Sequence, residues 1–331
     1  MSLYVLSVGP AVALQDLGRP GFLAQGLTQG GAADRLALCE GAALLGQGAE
    51  CAALEMVGLG GRFRAEADMT IALTGAEMRT LIDGVPAVWN ASHTLMSGQV
   101  LEIGPVLRGV YGYLHVPGGF AVAKVLGARG AHISAGIGDL VREGAHLPIA
   151  APGLRDELIL QPKPRLSGGA LRIMPSMQTE LFEQSLRDQL SAGSFTRDAR
   201  SDRQGMRLVP QGPPLQVSAG LSVVSEVAVP GDVQIAGSGD PFILLAEGQT
   251  TAGYPRIGTL LPSDLPRAVQ CPAGMQVRFE WISFADARRL EAQARADRDA
   301  LPQGTSPRIR APEDIANLGD YNLISGAITG D

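Results

Sequence analysis

The sequence predicts a mainly β chain built of antiparallel sheets curled into barrels or sandwiches, and three observations carry that expectation. First, 43 glycines and 22 prolines divide the chain into short apolar runs. Second, "MTIALTGAEM" (69–78), "QVLEIGPV" (99–106), "GVYGYLHVPG" (109–118), "LRIMPS" (171–176), "PFILLAEGQ" (241–249) and "MQVRFEWISF" (275–284) are rich in β-branched and aromatic residues and close on turn signals. Third, only three stretches have helical spacing. Strands this numerous and this close together favour antiparallel pairing over a wound parallel sheet.

The helices follow from caps and periodicity. The first spans 34–45, with Asp34 as its cap and Leu36, Cys39, Ala43 and Leu44 near one face. The second, 178–193, sets Leu181, Phe182, Leu186 and Leu190 at helical spacing and ends on Gly193. The third, 283–301, is capped by Ser283. The proline- and glycine-studded stretch 147–175 reads as the junction between a first β-rich lobe (1–150) and a second (151–290). The remainder, 291–331, holds a helix end and a polar tail expected to pack as an extended arm or to meet another subunit. A faint echo between "QDLGRPGF" (15–22) and "SDRQGMRL" (201–208) suggests two related lobes about an internal pseudo-dyad, whose interface would be a natural place for a site.

Composition narrows the function. A net charge of −6 and a pI near 5.3 argue against a nucleic-acid partner. Cys39, Cys51 and Cys271 have no CxxC spacing and the four histidines no ligand spacing, so no metal site is expected. Neither a signal peptide nor an apolar run long enough to span a membrane is visible, which makes a cytoplasmic protein the expectation. There is no P-loop, no nucleophile elbow and no biotin-bearing lysine; the chain has only Lys124 and Lys163.

What remains is a set of polar residues in glycine-rich turns. In "QDLGRPG" (15–21), Asp16 and Arg19 either orient an amide, the carboxylate accepting from N–H and the guanidinium donating to C=O, or stiffen the loop by capping and pairing with each other. In "SDRQGMRL", Asp202 is clamped between Arg203 and Arg207, or those arginines face an anion. Gln249, Thr250, Thr251 and Tyr254 crowd "EGQTTAGYPRIGTL" (247–260), either to read a ligand or as a satisfied turn. Glu55, a carboxylate in an apolar run, is a base or the buried partner of an arginine. The histidines carry little weight as catalysts.

In order along the chain, "VGPAVALQDLGRPGF", "GGAAD", "ALEM", "VPGG…VLGARG", "SDRQGMRL" and "ILLAEGQTTAGYPRIGTL" resemble the allophanate hydrolase subunit 2 family, also called the KipA-like, 5-oxoprolinase C-component or biotin-dependent carboxyltransferase family. The resemblance covers about residues 4–290. It implies two cyclophilin-like β-barrel lobes, a KipI-like (allophanate hydrolase subunit 1) sister protein and a small amide or urea-like substrate; a homo-oligomer is also compatible with it. It implies an ATP-dependent amidohydrolase subunit that opens 5-oxoproline to glutamate. The alternatives are a urea-carboxylase-type carboxyltransferase served by carboxybiotin on another chain, and a non-catalytic regulatory partner. Residue by residue, it implies catalytic roles for Asp16, Arg19, Asp34, Glu55, Asp202 and Arg203. Substrate contacts would come from Gln15, Arg129, Ser201, Arg207, Gln249, Thr250, Thr251 and Tyr254. The chain departs from the family pattern at Ala42, at Gly46 and Gln47, at Ala128 and Ala131, and at Pro175–Ser176–Met177, where amide or hydroxyl side chains are lost.

Overall fold

The computed structural model describes residues 1–216 and 226–308, and the chain in it is mainly β. One sheet of 11 strands runs Thr305–Pro307, Leu158–Leu160, Ala91–Leu95, Met69–Ile82, Val100–His115, Leu59–Ala65, Ser2–Val8 and His146–Pro148. Val12–Gln15 and Ala53–Val57 branch from Val100–His115, and Val85–Pro86 pairs with Met69–Ile82. Gly169–Met174, Arg256–Leu260, Asp232–Ile235, Pro241–Leu244, Gly205–Pro210, Phe195–Arg197 and Gln276–Trp281 close into a barrel. Its one parallel pair joins Gly169–Met174 to Gln276–Trp281. A barrel beside a large antiparallel sheet agrees with the cyclophilin-like reading.

Several elements differ from expectation. The stretches 99–106 and 109–118 form one strand of 16 residues, Val100–His115, paired with the 14-residue Met69–Ile82. Glycines and Pro105, which read as breakers, are absorbed by register shifts between Gly75 and Thr80 that bend the pair without ending it. The helix expected at 178–193 is a 3₁₀ turn, Thr179–Leu181, followed by a helix at Gln184–Ala192, and Gly193 is extended rather than left-handed. A further helix, Leu265–Gln270, had no periodic signal in its six residues. Helix Phe284–Asp299 is capped by the Ser283 hydroxyl as expected. After it, Thr305–Pro307 returns to the sheet edge against Leu158–Leu160, where Arg308 meets Glu157. The rest of the expected arm, 309–331, lies outside the described residues. Among those described, no helix is long and apolar enough to cross a membrane.

The helix Arg35–Leu45 begins where the Asp34 carboxylate accepts from the Leu36 and Ala37 amides and ends on Gly46 in the left-handed region. Ala43 and Leu44 are buried as expected, together with Ala37, Leu38, Gly41 and Leu45, whereas Leu36 and Cys39 are half-buried. Gly41 sits against the fully buried His115 ring, so close that a Cβ would lie 2.3 Å from Nε2. Thr74 Oγ1 donates to Ala37 O (2.9 Å) and therefore accepts from His115 Nε2–H (2.7 Å). Burial holds that imidazole down at about 3, so it is neutral.

The core is continuous. Ala53, Tyr111 and Tyr113 of the sheet, with Leu38 of the helix Arg35–Leu45 and Ala32 before it, pack in one cluster with Leu171, Phe195, Val233 and Phe279 of the barrel. The sheet also wraps its own core around Phe63, Ile71, Leu101 and Val116.

Two outcomes follow from the packing at His115. Gly41→Ala gains about 1 kcal/mol of helix propensity but overpacks a fixed ring at about 1–3 kcal/mol, so urea unfolding should show a net loss of up to about 2 kcal/mol. His115 is neutral when folded, while the unfolded chain takes a proton as pH falls below 6.5; its contribution is present above that pH and lost on the way down to about 3. Relative to wild type, His115→Gln should therefore gain about 1.4 kcal/mol per pH unit below 6.5, read from urea midpoints at pH 7, 6 and 5.

Candidate functional site

Polar side chains that an apolar core would not tolerate singly are gathered where the sheet meets the barrel. Arg203, in the loop before strand Gly205–Pro210, reaches across this junction. Its Nε donates to Glu247 Oε1 (2.6 Å), its Nη1 to Glu55 Oε1 and its Nη2 to Gly31 O (2.5 Å). Glu55, on strand Ala53–Val57, also accepts from the Ala33 amide (2.8 Å) and the Tyr113 hydroxyl (2.7 Å). Tyr113 in turn accepts from the Asp34 amide (2.8 Å), which ties the strand to the helix start. Against the burial penalty, Glu55 and Glu247 hold Arg203 above its ordinary value, and Arg203 and the Ser134 amide hold Glu247 below its own.

A second ion-pair group continues the chain of contacts. Asp34 Oδ2 accepts from Arg165 Nε (2.8 Å) and from Gln270 Nε2 (2.9 Å), and Arg165 forks onto Glu40 through Nη1 (2.7 Å) and Nη2 (2.6 Å). Gln270 also accepts from the Val110 and Tyr111 amides, so the barrel helix is stitched to the long sheet strand. Two carboxylates share one guanidinium here. Burial pushes Glu40 up to about 7 against the pull of Arg165, while Asp34 and Glu40, outweighing burial, hold Arg165 above its ordinary value.

Beside Glu247 stands His132, nearly fully buried. Its Nε2 is 2.8 Å from Thr28 Oγ1, and its Nδ1 is 3.2 Å from Ser134 Oγ and 3.7 Å from Glu247 Oε2. Burial lowers its basicity, with Glu247 opposing. A proton on Nδ1 faces the acceptor-only Glu247 carboxylate and leaves Nε2 free to take a proton from a hydroxyl. Ser134 Oγ is the group within hydrogen-bond distance of Nδ1, and the Arg203-pinned Glu247 carboxylate acts on the ring through its charge from 3.7 Å.

The turn 15–19 lies against residues 125–132. Asp16 accepts from the Gly18 amide (2.9 Å) and the Arg129 amide (2.6 Å). Arg19 donates through Nη2 to Gly130 O and through Nε to Val125 O (3.5 Å). The expected Asp16–Arg19 pairing is therefore not what stiffens the turn: each reaches the facing loop. Gly18, at φ 81, has no room for a side chain, since a Cβ would lie 2.4 Å from Gln29 O. Burial lowers the basicity of Arg19, with Asp16 and Glu247 opposing.

The candidate residues thus fall into three groups. Gln15, Asp16, Arg19 and Arg129 meet at the turn 15–19; Asp34, Glu55 and Arg203 meet at the lobe junction. The rest stay outside. Asp202, exposed, caps its own turn through the Gln204 (2.8 Å) and Gly205 (3.2 Å) amides and is not clamped between Arg203 and Arg207. Ser201 donates to Asp198 O (2.8 Å), and Arg207 binds Asp240 and Asp198 on the barrel surface. Gln249, Thr251 and Tyr254 are exposed on a flap where Thr251–Ala252 pairs with Glu226–Val227, and the Thr250 carbonyl accepts from the Ala228 amide (2.9 Å). Sequence reasoning missed Thr28, His132 and Glu247. Glu247 opens the stretch 247–260 that stands out for its hydroxyls, and its carboxylate was the signal to weigh.

Removing Arg203 leaves two nearly buried carboxylates without their cation. Arg203→Met should cost about 3–5 kcal/mol in urea unfolding at neutral pH. The loss should shrink toward pH 4, where the stranded carboxylates take protons.

Known proteins resemble this chain in sequence and fold. Residues 25–281 match the family described as carboxyltransferase domain, subdomain A and B. The chain is similar to the C component of the 5-oxoprolinase of Haemophilus influenzae, 33% identical over 292 residues that cover 86% of this chain and 93% of that one. It is also similar to the C component of the 5-oxoprolinase of Escherichia coli, 32% identical over 291 residues with the same coverage, 86% and 93%. The crystal structure of TTHA0988 superposes with a TM-score of 0.77 at 29% identity over 84% of this chain, which spans only 56% of TTHA0988. The Kluyveromyces lactis urea amidolyase superposes with a TM-score of 0.80 over 94% of this chain and 21% of its own. At 19% identity that likeness shows the fold alone.

Proposed function

This chain belongs to the carboxyltransferase domain family, subdomains A and B, and on that premise we propose that it is a subunit of a heteromeric, ATP-dependent amidohydrolase of the 5-oxoprolinase type. The partner in this reading is a KipI-like sister subunit. The names of the two relatives at about a third identity, together with a polar cluster suited to proton transfer, support it. The reaction consumes 5-oxoproline, ATP and two waters and yields glutamate, ADP and phosphate. ATP is a co-substrate of the complex.

The observation that carries the reading is His132, set between Thr28 Oγ1 at 2.8 Å and the Arg203-pinned Glu247 at 3.7 Å. Ring opening needs water to add to the lactam carbonyl carbon, the C–N bond to break and the leaving nitrogen to gain a proton. His132 Nε2, at the position marked by the Thr28 hydroxyl, takes the proton of the attacking oxygen and returns it to the nitrogen. Glu247 steadies the imidazolium that forms between these steps, and Arg203 keeps Glu247 ionised while it does so.

The family name also favours a second reading, a carboxyltransferase that moves a carboxyl group from carboxybiotin on another chain to a urea-like acceptor. One assay separates the two. The chain is co-purified with its sister subunit and ATP-dependent glutamate release from 5-oxoproline is followed. Turnover is expected, and His132→Gln should lower kcat by roughly 10²–10⁴-fold while leaving co-purification intact. No turnover by the wild-type complex would overturn the hydrolase reading. Biotin-dependent carboxylation of urea would establish the second, and partner binding without either activity would leave a regulatory role.

A further inference from the structure

Two buried polar atoms beneath the 122–131 loop find no hydrogen-bond partner in the protein: Arg19 Nη1, a donor, and Gln15 Oε1, an acceptor. Arg19 is 1% exposed and Gln15 0%. Each side chain has spent its other groups on the facing loop, Gln15 Nε2 on Ala131 O (3.1 Å), Arg19 Nη2 on Gly130 O and Nε on Val125 O. Arg19 forms no ion pair among the described residues; Asp16 turns to the Gly18 and Arg129 amides, and Glu247 to Arg203 and Ser134. A buried guanidinium without a carboxylate, and a buried amide oxygen without a donor, are each costly.

Both side chains converge on Gly130. A Cβ there would lie 3.0 Å from Gln15 Oε1 and 2.8 Å from Asp16 Oδ1, and the Gly130 carbonyl already accepts from Arg19. On its other side Arg19 Nη1 and the His132 ring both border Gly30, where a Cβ would lie 3.6 Å from Nη1 and 2.9 Å from the ring. Leu14, Val122, Val125, Ala128, Gly130 and Ile137 line a cavity of about 200 Å³, and Gly130 is the residue through which this cavity borders the pair. The covering turn holds Leu126 at φ 51, a strained conformation for a leucine, with Val125 and Leu126 exposed.

We infer that Arg19 Nη1 and Gln15 Oε1 are the recognition pair for the carboxylate-bearing edge of a small lactam. Arg19 takes the carboxylate and Gln15 accepts from the neighbouring ring N–H. This deepens the proposed function and rests on it for the identity of the substrate. In 5-oxoproline the carboxylate and the ring N–H are borne on adjacent atoms, so one edge of the molecule offers the acceptor and the donor that the two orphaned atoms lack. Urea has no carboxylate to satisfy Arg19. The pair is a positioning device: it fixes the lactam by its carboxylate and its leaving nitrogen, and that leaves the carbonyl carbon open to attack.

The test uses the full chain with its co-purified partner. KM and kcat for 5-oxoproline are measured for wild type, Arg19→Gln, Arg19→Lys and Gln15→Leu. Thermal melts are recorded without ATP in the presence of 5-oxoproline or of 2-pyrrolidinone, the same lactam without the carboxylate. In wild type, 5-oxoproline should raise Tm and 2-pyrrolidinone should not. Arg19→Gln should raise KM roughly ten- to hundredfold, change kcat far less and abolish the ligand-induced shift. Arg19→Lys should recover part of the KM, and it serves as the deciding variant if Arg19→Gln does not fold. Gln15→Leu should raise KM as well. A merely structural Arg19 would lower the unliganded Tm and leave KM unchanged, which would overturn the inference, as would equal shifts from the two ligands or none from 5-oxoproline. A wild-type complex that binds 5-oxoproline through its carboxylate but releases no glutamate would overturn the hydrolase reading and leave this pair standing.

Discussion

The junction between sheet and barrel depends on Arg203. One guanidinium, supplied by the barrel loop, satisfies Glu55 of the sheet, Glu247 of the barrel and the Gly31 carbonyl. Apolar contact alone would let the two lobes slide, because a shared cluster of alanine, leucine and aromatic side chains has no direction. The three-way fork removes that freedom, since its donors meet acceptors in only one arrangement. Net stabilisation from buried ion pairs is small, as desolvation offsets attraction; their contribution here is to fix register, and that makes the junction sensitive to loss of any one member.

The Asp34, Arg165 and Glu40 group repeats this logic one turn of chain away, with Tyr113 as the link. In both groups two carboxylates answer to one guanidinium. Burial pushes Glu40 up to about 7 against the pull of Arg165, and the neighbouring Asp34 adds to the rise. The turn 15–19 has the opposite imbalance, a buried Arg19 whose nearest carboxylates are engaged elsewhere. Charge is thus distributed unevenly through a connected interior. The excess negative group ties helix to sheet, while the unpaired positive group lies beside His132, where a charged small molecule would be bound.

Much of the fold was legible because it is local. The cap at Asp34, the cap at Ser283 and the β-rich character follow from residue type and spacing. What escaped depended on long-range contacts. Nothing near Gly104 or Pro105 says that the chain continues as one strand; only pairing with Leu59–Ala65 and Met69–Ile82 settles it. The site shows the same division. Glu55 as the buried partner of an arginine was among the readings open from sequence, but which arginine could not be known, as Arg203 lies 148 residues away. Asp202 matched the same motif as Arg203 yet caps its own turn, because a short carboxylate beside glycine finds the nearest amides first. His132 had no motif at all: its meaning comes from Glu247, which folding brings to it.

Glycine is what allows these polar groups to approach. Gly18, Gly30, Gly31 and Gly130 stand where a Cβ would strike a carbonyl, the His132 ring, or the Asp16 and Gln15 side chains. Their function is subtractive: each removes volume so that backbone acceptors come within reach of Arg19 and Arg203. The same absence of side chains explains how Arg19 can be fully buried yet leave Nη1 unpaired. Two loops packed through glycines have few side-chain acceptors to offer, so the guanidinium takes the carbonyls of Val125 and Gly130 and Nη1 goes unmatched. Adding a carboxylate to the protein at that point would satisfy Arg19 permanently and close the position to any ligand. An enzyme that must bind and release a charged molecule does better with the acceptor left to the substrate.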